Sequence, residues 1–193
     1  MTKRQAKILS IVILLSSWVV AARELWPEKI ISESVVLSAA PAKVSEPDPV
    51  QLSVPSLKIN TSFVPLGLTA TREIEVPKDP STVGWYKYGA KPGAVGPVVI
   101  VGHLDDQRGR PSVFWNLRDI KLGDRVVIKR QDGTDAIYEV TEKAEYAQDQ
   151  FPTEKVYGTI DHAGIRLITC SGKYSAIKQR YSKNLIVFGK LVN

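Results

Sequence analysis

The sequence predicts a mainly β domain, either a sandwich or a closed barrel, that follows an apolar N-terminal segment. From Leu52 onward, short β-branched runs alternate with Gly, Pro, Asn and Asp, and several runs alternate apolar with polar residues. Only one short stretch in this region has a helical pattern. Many short strands with little helix are typical of sandwiches and closed barrels.

The length and charge of the chain limit the classes of protein to consider. Its 193 residues, 44% of them hydrophobic, suit one domain with appendages. Lys3, Arg4 and Lys7 supply three of the six net positive charges. Because no block of basic residues is interleaved with aromatic residues, the sequence does not support nucleic-acid binding.

The first element is the uncharged stretch Ile8–Ala22, which follows the three basic residues. It is short for a spanning helix, which needs about 17 to 25 residues, although Trp18 and Trp26 are suited to the membrane interface. We expect residues 1–26 to form a single-pass anchor with a cytoplasmic N-terminus and the rest of the chain extracellular. The alternative is a cleaved signal peptide, because Val20–Ala22 resembles a cleavage site.

Residues 27–51 are rich in Ser, Ala, Pro and acidic residues and lack aromatic residues. Pro41, Pro47 and Pro49 oppose a continuous helix, so this stretch is predicted to be an extracytoplasmic linker. The folded domain is therefore assigned to residues 52–193.

Six runs in this domain are predicted to be strands: 56–66, 97–103, 124–130, 136–146, 164–170 and 184–192. Asp132 and Gly133, between two of these runs, predict a β-hairpin. The helical candidate is Ser112–Ile120, with Ser112 as its cap.

Cys170 is the only cysteine, at the end of an apolar run. It cannot form an internal disulfide, so it is a buried spectator, an intermolecular link or a reactive thiol. A nucleophilic thiol needs a base, and the chain has two histidines. His162 lies in a polar turn, whereas His103 follows a β-branched strand, where side chains from separate strands can converge. His103 is therefore the expected base.

Arg180 is the only arginine after Cys170. A guanidinium can stabilise the oxyanion of acyl transfer or hold a substrate carbonyl with two donors. The alternative is a solvated loop charge among Lys173, Lys178 and Lys183.

Six motifs, in this order along the chain, resemble segments of the sortases, the membrane-anchored cysteine transpeptidases of the bacterial surface. The motifs are VPLGL at 64–68, VGWY at 83–86, VGHLDD at 101–106, VFWNL at 113–117, LGDRV at 122–126 and LITCSG at 167–172. The resemblance covers about Leu52 to Asn193. It is closest to the class F sortases, which carry VGWY, AGHVDS and LITCGG segments and a YxDN segment before the last strand.

Tyr181 and Asn184 keep the spacing of the YxDN segment. Ser171 replaces the usual Gly, Lys183 the usual Asp, and Leu104 the usual Val. These departures concern substrate preference more than the reaction.

The resemblance implies a closed sortase-type β-barrel of about eight strands with short helices. It also implies acyl transfer in which Cys170 attacks a carbonyl of an LPxTG-like sorting signal and forms a thioester. His103 would protonate the departing amine and deprotonate the incoming one, and Arg180 would hold the substrate and its oxyanion. Four residues are predicted to contact substrate: Thr169, Asp105, Trp85 and Tyr181.

The expected partners are surface proteins with a C-terminal sorting signal, a cell-wall peptide or pilin amine, and membrane lipid around the N-terminal helix. No metal or cofactor is expected, because the sequence has no Cys/His ligand cluster. Two other functions stay open. The chain could be a thiol hydrolase with water as acceptor, or an inactive tethered β-domain that binds peptides or wall polymer.

Overall fold

The structure, a computed structural model, describes residues 46–192. The predicted membrane segment and most of the predicted linker lie outside these residues. Within residues 46–192, no helix is long and apolar enough to cross a membrane.

Eight strands form the framework of the domain. They are β1 (Pro49–Val54), β2 (Ile59–Leu66), β3 (Val83–Tyr86), β4 (Gly96–Gly102), β5 (Arg125–Arg130), β6 (Asp135–Ala147), β7 (Ala163–Ser175) and β8 (Arg180–Leu191). A short α-helix, α1, spans Thr153–Tyr157. Three 3₁₀ helices span Pro55–Leu57, Trp115–Asp119 and Gln148–Gln150.

The strands close into a barrel in the order β1-β2-β3-β4-β7-β8-β6-β5, and β5 pairs with β1 to complete the ring. The pairs β2–β3 and β4–β7 are parallel, and the other pairs are antiparallel. Closure satisfies the backbone hydrogen bonds that an open sheet would leave at its edges. The expectation of a closed barrel of about eight strands is confirmed.

All six predicted strands are present, but local pattern missed β1 and β3. The N-terminal strand β1 begins at Pro49, inside the predicted linker, and proline is tolerated at the first residue of a strand. Two ion pairs tie this region to the barrel, one from Glu46 to Arg130 and one from Asp48 to Lys91. The folded part thus starts before residue 52.

The helix prediction for Ser112–Ile120 needs correction. This stretch contains a 3₁₀ helix over Trp115–Asp119 that follows Phe114 and lacks a side-chain cap, and the α-helix is Thr153–Tyr157 instead. Phe114 is fully buried in the main core, so packing of its ring anchors the start of the 3₁₀ helix. The predicted hairpin is confirmed, since Gly133 has φ +83° between β5 and β6.

Alternation along β7 divides its side chains between two apolar clusters. Ile165 and Leu167 join the main core, whereas Ile168 packs with Phe188 and with Val156 of α1 in a second cluster on the other face of the strand. Cys170, two residues after Ile168, therefore lies on the same face of β7 that α1 covers at Ile168.

Candidate active site

The parallel pairing of β4 with β7 brings His103 and Cys170 together. Val101 of β4 lies opposite Ile168 of β7, and His103 and Cys170 each come two residues later. Side chains two residues apart share a face, and paired strands lie about 4.8 Å apart. Both residues accordingly line one cleft of about 1240 Å³.

His103 follows the last residue of β4 and is held from two sides. Its Nε2 donates a hydrogen bond to the carbonyl oxygen of Pro77 at 2.7 Å, because that oxygen can only accept. Its own carbonyl oxygen accepts from the backbone N–H of Phe114 at 2.9 Å. These contacts fix the ring orientation and, in the neutral form, leave Nδ1 free to take a proton.

Cys170 is half-buried at the base of the cleft. Burial raises the pKa of its thiol, and the nearby Asp105 carboxylate raises it further. Both effects disfavour the thiolate. Burial and Asp105 therefore favour the neutral thiol over the thiolate, and a neighbouring cation is the kind of group that stabilises a thiolate.

A bulge beyond Cys170 reorients the hairpin between β7 and β8. Strand β7 was predicted to end at Cys170, but it continues to Ser175. Between Ser171 and Tyr174 the register shifts by one residue, where Gly172 has φ +79°. Tyr174 then lies opposite Tyr181, with their ring centroids 5.3 Å apart in an edge-to-face arrangement.

Two predicted substrate-contact residues, Tyr181 and Asp105, meet in the cleft. The hydroxyl of Tyr181 donates a hydrogen bond to Oδ2 of Asp105. This bond, more than burial, raises the pKa of Tyr181 to about 12, so the phenol stays neutral. The contact links the loop after His103 to the hairpin after Cys170.

Arg180 lies at the start of β8 and lines the same cleft. Its side chain has no ion pair or side-chain hydrogen bond with any residue in the range 46–192. Lys183, in contrast, pairs with Glu145 at 3.0 Å, and neither Lys173 nor Lys178 lines the cleft. The structure thus separates Arg180 from its neighbouring loop cations.

Thr169 and Trp85, the other two residues predicted to contact substrate, do not line the cleft. Thr169 is 3% exposed and Trp85 is 5% exposed. Thr169 adjoins Cys170 in β7, so strand alternation turns its side chain into the barrel. Trp85 packs in the main core. Their contact with substrate stays a prediction.

His162 lies just before β7, at the opposite end of the strand from the cleft. Its Nδ1 is 2.8 Å from a carboxylate oxygen of Asp161. The position agrees with a role in a polar turn.

Sequence reasoning missed a set of charged residues that also line the cleft: Lys78, Asp106, Arg108 and Arg110. They lie on two loops, before β3 and after His103. The only local signal is the DDQRGR segment itself, whose charges resemble those of any solvated loop. Among residues 46–192, no three His, Cys, Asp or Glu side chains are grouped to hold a metal ion.

Comparison with known proteins bears on this site. The family model of the sortase domain matches residues 52–192. No curated protein matches the chain.

Similar solved structures include sortase A from Corynebacterium diphtheriae, with a TM-score of 0.58 and 23% identity over 78% of this chain and 63% of that one. The Clostridium perfringens sortase D5 transpeptidase has a TM-score of 0.57 and 20% identity over 76% of this chain and 79% of that one. Sortase C1 from Streptococcus suis has a TM-score of 0.58 and 17% identity over 77% and 74%. At 17% to 23% identity, the similarity to these structures shows the fold alone.

The chain spans less than two thirds of the length of the C. diphtheriae protein. The family match nevertheless covers most of this chain, and the barrel is one that the solved sortases share. The chain therefore belongs to the sortase family, a family of cysteine transpeptidases.

Proposed function

We propose that this chain cleaves an LPxTG-like sorting signal through a Cys170 thioester and transfers the acyl group to an amine on the cell wall or on a pilin. The observation that carries the proposal is that Cys170, His103 and Arg180, from three different segments, line one cleft. A nucleophile, an acid–base group and a planar cation are the set that thiol acyl transfer needs.

In the first step, the thiolate of Cys170 attacks the carbonyl carbon of Thr in the sorting signal. The Thr–Gly C–N bond breaks, and the imidazolium of His103 gives its proton to the departing amine. In the second step, an incoming amine attacks the thioester, neutral His103 takes its proton, and Cys170 leaves as thiolate. Arg180 donates hydrogen bonds to the oxyanion formed in each step.

The raised pKa of the Cys170 thiol has a consequence for this mechanism. Only the form with a thiolate and an imidazolium can start the first step. Burial and the Asp105 carboxylate disfavour the thiolate, which lowers the reactivity of the thiol towards other electrophiles.

Membrane attachment and subclass complete the proposal. The apolar segment within residues 1–26 is proposed to anchor the chain in membrane lipid, with the domain outside the cell. An anchored enzyme and a membrane-held substrate meet at high effective concentration.

The VGWY, VGHLDD and LITCSG motifs support assignment of the chain to class F of the sortases. Protease added to intact protoplasts should degrade the domain. Survival of the domain would contradict the proposed topology, in which the domain lies outside the cell.

The direct test mixes the full-length chain with sorting-signal peptides and seeks an adduct on Cys170 by mass spectrometry, with and without an added amine. His103→Ala should slow adduct formation by ~100-fold to 10,000-fold, whereas the matched control His162→Ala should have little effect. A hydrolysed product in the presence of amine would favour the hydrolase. A thiol that reacts only after unfolding would favour the inactive binding domain.

A further inference from the structure

The cleft around Cys170 carries an excess of positive charge. Four cationic side chains line it, and only two acidic ones do. The cations are Lys78, Arg108, Arg110 and Arg180, and the acidic residues are Asp105 and Asp106.

Both carboxylates already have partners. Asp106 accepts hydrogen bonds from Nε of Arg110 at 2.7 Å and from the backbone N–H groups of Arg108 and Arg110. These contacts, led by the Arg110 backbone N–H, lower the pKa of Asp106 to about 2. Asp105 accepts from the Tyr181 hydroxyl. Asp106 is thus paired with Arg110, whereas Asp105 keeps its negative charge because the Tyr181 hydroxyl is neutral, so three cations face one unpaired carboxylate in the cleft.

Three cations remain exposed, and within residues 46–192 none of them has a carboxylate partner: Lys78, Arg108 and Arg180. Arg180 is the group proposed to hold the reacting carbonyl. Lys78 and Arg108 lie on the wall of the cleft that carries His103. Lys78 follows Pro77, the hydrogen-bond acceptor of His103, and Arg108 lies five residues after His103.

The loop that carries Arg108 has a defined conformation. Oδ1 of Asp106 accepts from the Arg108 backbone N–H at 2.8 Å, and the Gly109 N–H donates to the Asp106 carbonyl oxygen at 2.9 Å. The ion pair from Arg110 to Asp106, at 2.6 Å, closes the same turn. The backbone of Arg108 is thus held in place while its guanidinium is free for a ligand.

We infer that Lys78 and Arg108 form a subsite for an acidic side chain of the substrate peptide, either at the variable position of the sorting signal or directly outside the motif. This inference rests on the proposed function, because a substrate peptide must lie in the cleft to bring its carbonyl to Cys170. Its carboxylate would meet two cations that have no carboxylate partner of their own within residues 46–192. Lys78 and Arg108 are thereby specificity residues and take no part in the chemical steps.

The test compares three peptides that differ only in Glu, Gln or Lys at the variable position of LPxTG, and then at the positions directly before and directly after the motif. The measurement is kcat/KM of the full-length chain for peptide cleavage. Two exposed ion pairs should favour Glu over Gln by roughly 2-fold to 30-fold, and Lys should be the poorest substrate. High salt should reduce the preference, because exposed charges are screened.

The double variant Lys78→Glu/Arg108→Glu should reverse the preference and favour the Lys peptide. The ratio of the two rates is the readout, since a general loss of activity cancels in it. The matched control is Arg125→Glu/Lys129→Glu, which makes the same charge change on exposed positions of β5 away from the cleft. The control should retain the preference for Glu.

Equal rates for the three peptides at every position would overturn the subsite while leaving the proposed function in place, provided that an adduct forms on Cys170. A preference that survives in Lys78→Glu/Arg108→Glu would overturn it as well. No adduct with any peptide would contradict the proposed function and the subsite together.

Discussion

Replacing Gly102 by alanine would put a methyl group into the ring of Phe114. A Cβ built at Gly102 lies 2.5 Å from Cδ2, 2.7 Å from Cε2 and 3.0 Å from Cγ of that ring. Gly102 is held in the pairing of β4 with Val83, and Phe114 is fully buried, so neither can move freely. Overpacking of this kind costs about 1 to 3 kcal/mol, and three close ring contacts place Gly102→Ala at the upper end, about 3 kcal/mol.

The assay is thermal unfolding of the full-length chain followed by circular dichroism. For a domain of this size, each kcal/mol lowers Tm by about 2 to 4 °C, so Gly102→Ala should lower it by about 6 to 12 °C. The matched control is Gly67→Ala, because the nearest atom to its Cβ is a carboxylate oxygen of exposed Glu75 at 3.3 Å. The control should lower Tm much less than Gly102→Ala, because only the side chain of Glu75, whose Oε2 accepts from the Gly67 N–H at 2.7 Å, has to shift.

The same substitution should reduce activity, because Gly102 precedes His103 and the His103 carbonyl oxygen is bonded to Phe114. A displacement of about 1 Å at a catalytic group costs on the order of 100-fold in rate. Replacing the ring by a smaller side chain in Gly102→Ala/Phe114→Leu should recover part of the stability, with a coupling free energy of about 0.5 to 3 kcal/mol between the two positions. A wild-type Tm for Gly102→Ala, or strictly additive losses in the double variant, would refute the steric reasoning.

Two further predictions concern charge in the cleft. Asp105→Asn removes the carboxylate that raises the pKa of the Cys170 thiol, so the pH profile of iodoacetamide alkylation should move to lower pH; an unchanged profile would exclude an electrostatic effect of Asp105 on the thiol. Arg180→Lys should slow thioester formation by on the order of 100-fold to 1,000-fold, because an ammonium poorly replaces a planar two-donor group. Lys183→Ala should be nearly silent, since Lys183 pairs with Glu145; the opposite result would move the cationic role to Lys183.

Local pattern along the chain was enough to predict the class of fold. Strand alternation and turn chemistry operate between residues close in sequence, so six of the eight strands and the Gly133 hairpin could be located. They did not locate β1, which begins with Pro49, or β3, which has four residues. They also misplaced the end of β7, because the strand beyond Cys170 contains a bulge and polar residues.

The chemistry of single residues identified Cys170 and His103, since the chain has one thiol and only two imidazoles. Their proximity depends on the parallel pairing of β4 with β7, strands separated by five other elements along the chain. No local signal specifies such a pairing, because it arises from closure of the whole barrel. Local pattern allowed either a sandwich or a closed barrel. The resemblance of the motifs to those of the sortases favoured the closed barrel.

Residue types and their local pattern were sufficient to predict a β domain with one candidate nucleophile, one favoured base and a single downstream arginine. The direction in which each side chain points depends on the folded barrel. Alternation along a strand turns Thr169 into the barrel while Cys170 faces the cleft, and the bulge at Gly172 brings Tyr181 to Asp105. The physical reason is that a residue's type is a local property, whereas its burial and its partners are set by strand register and barrel closure, which join segments far apart in the chain.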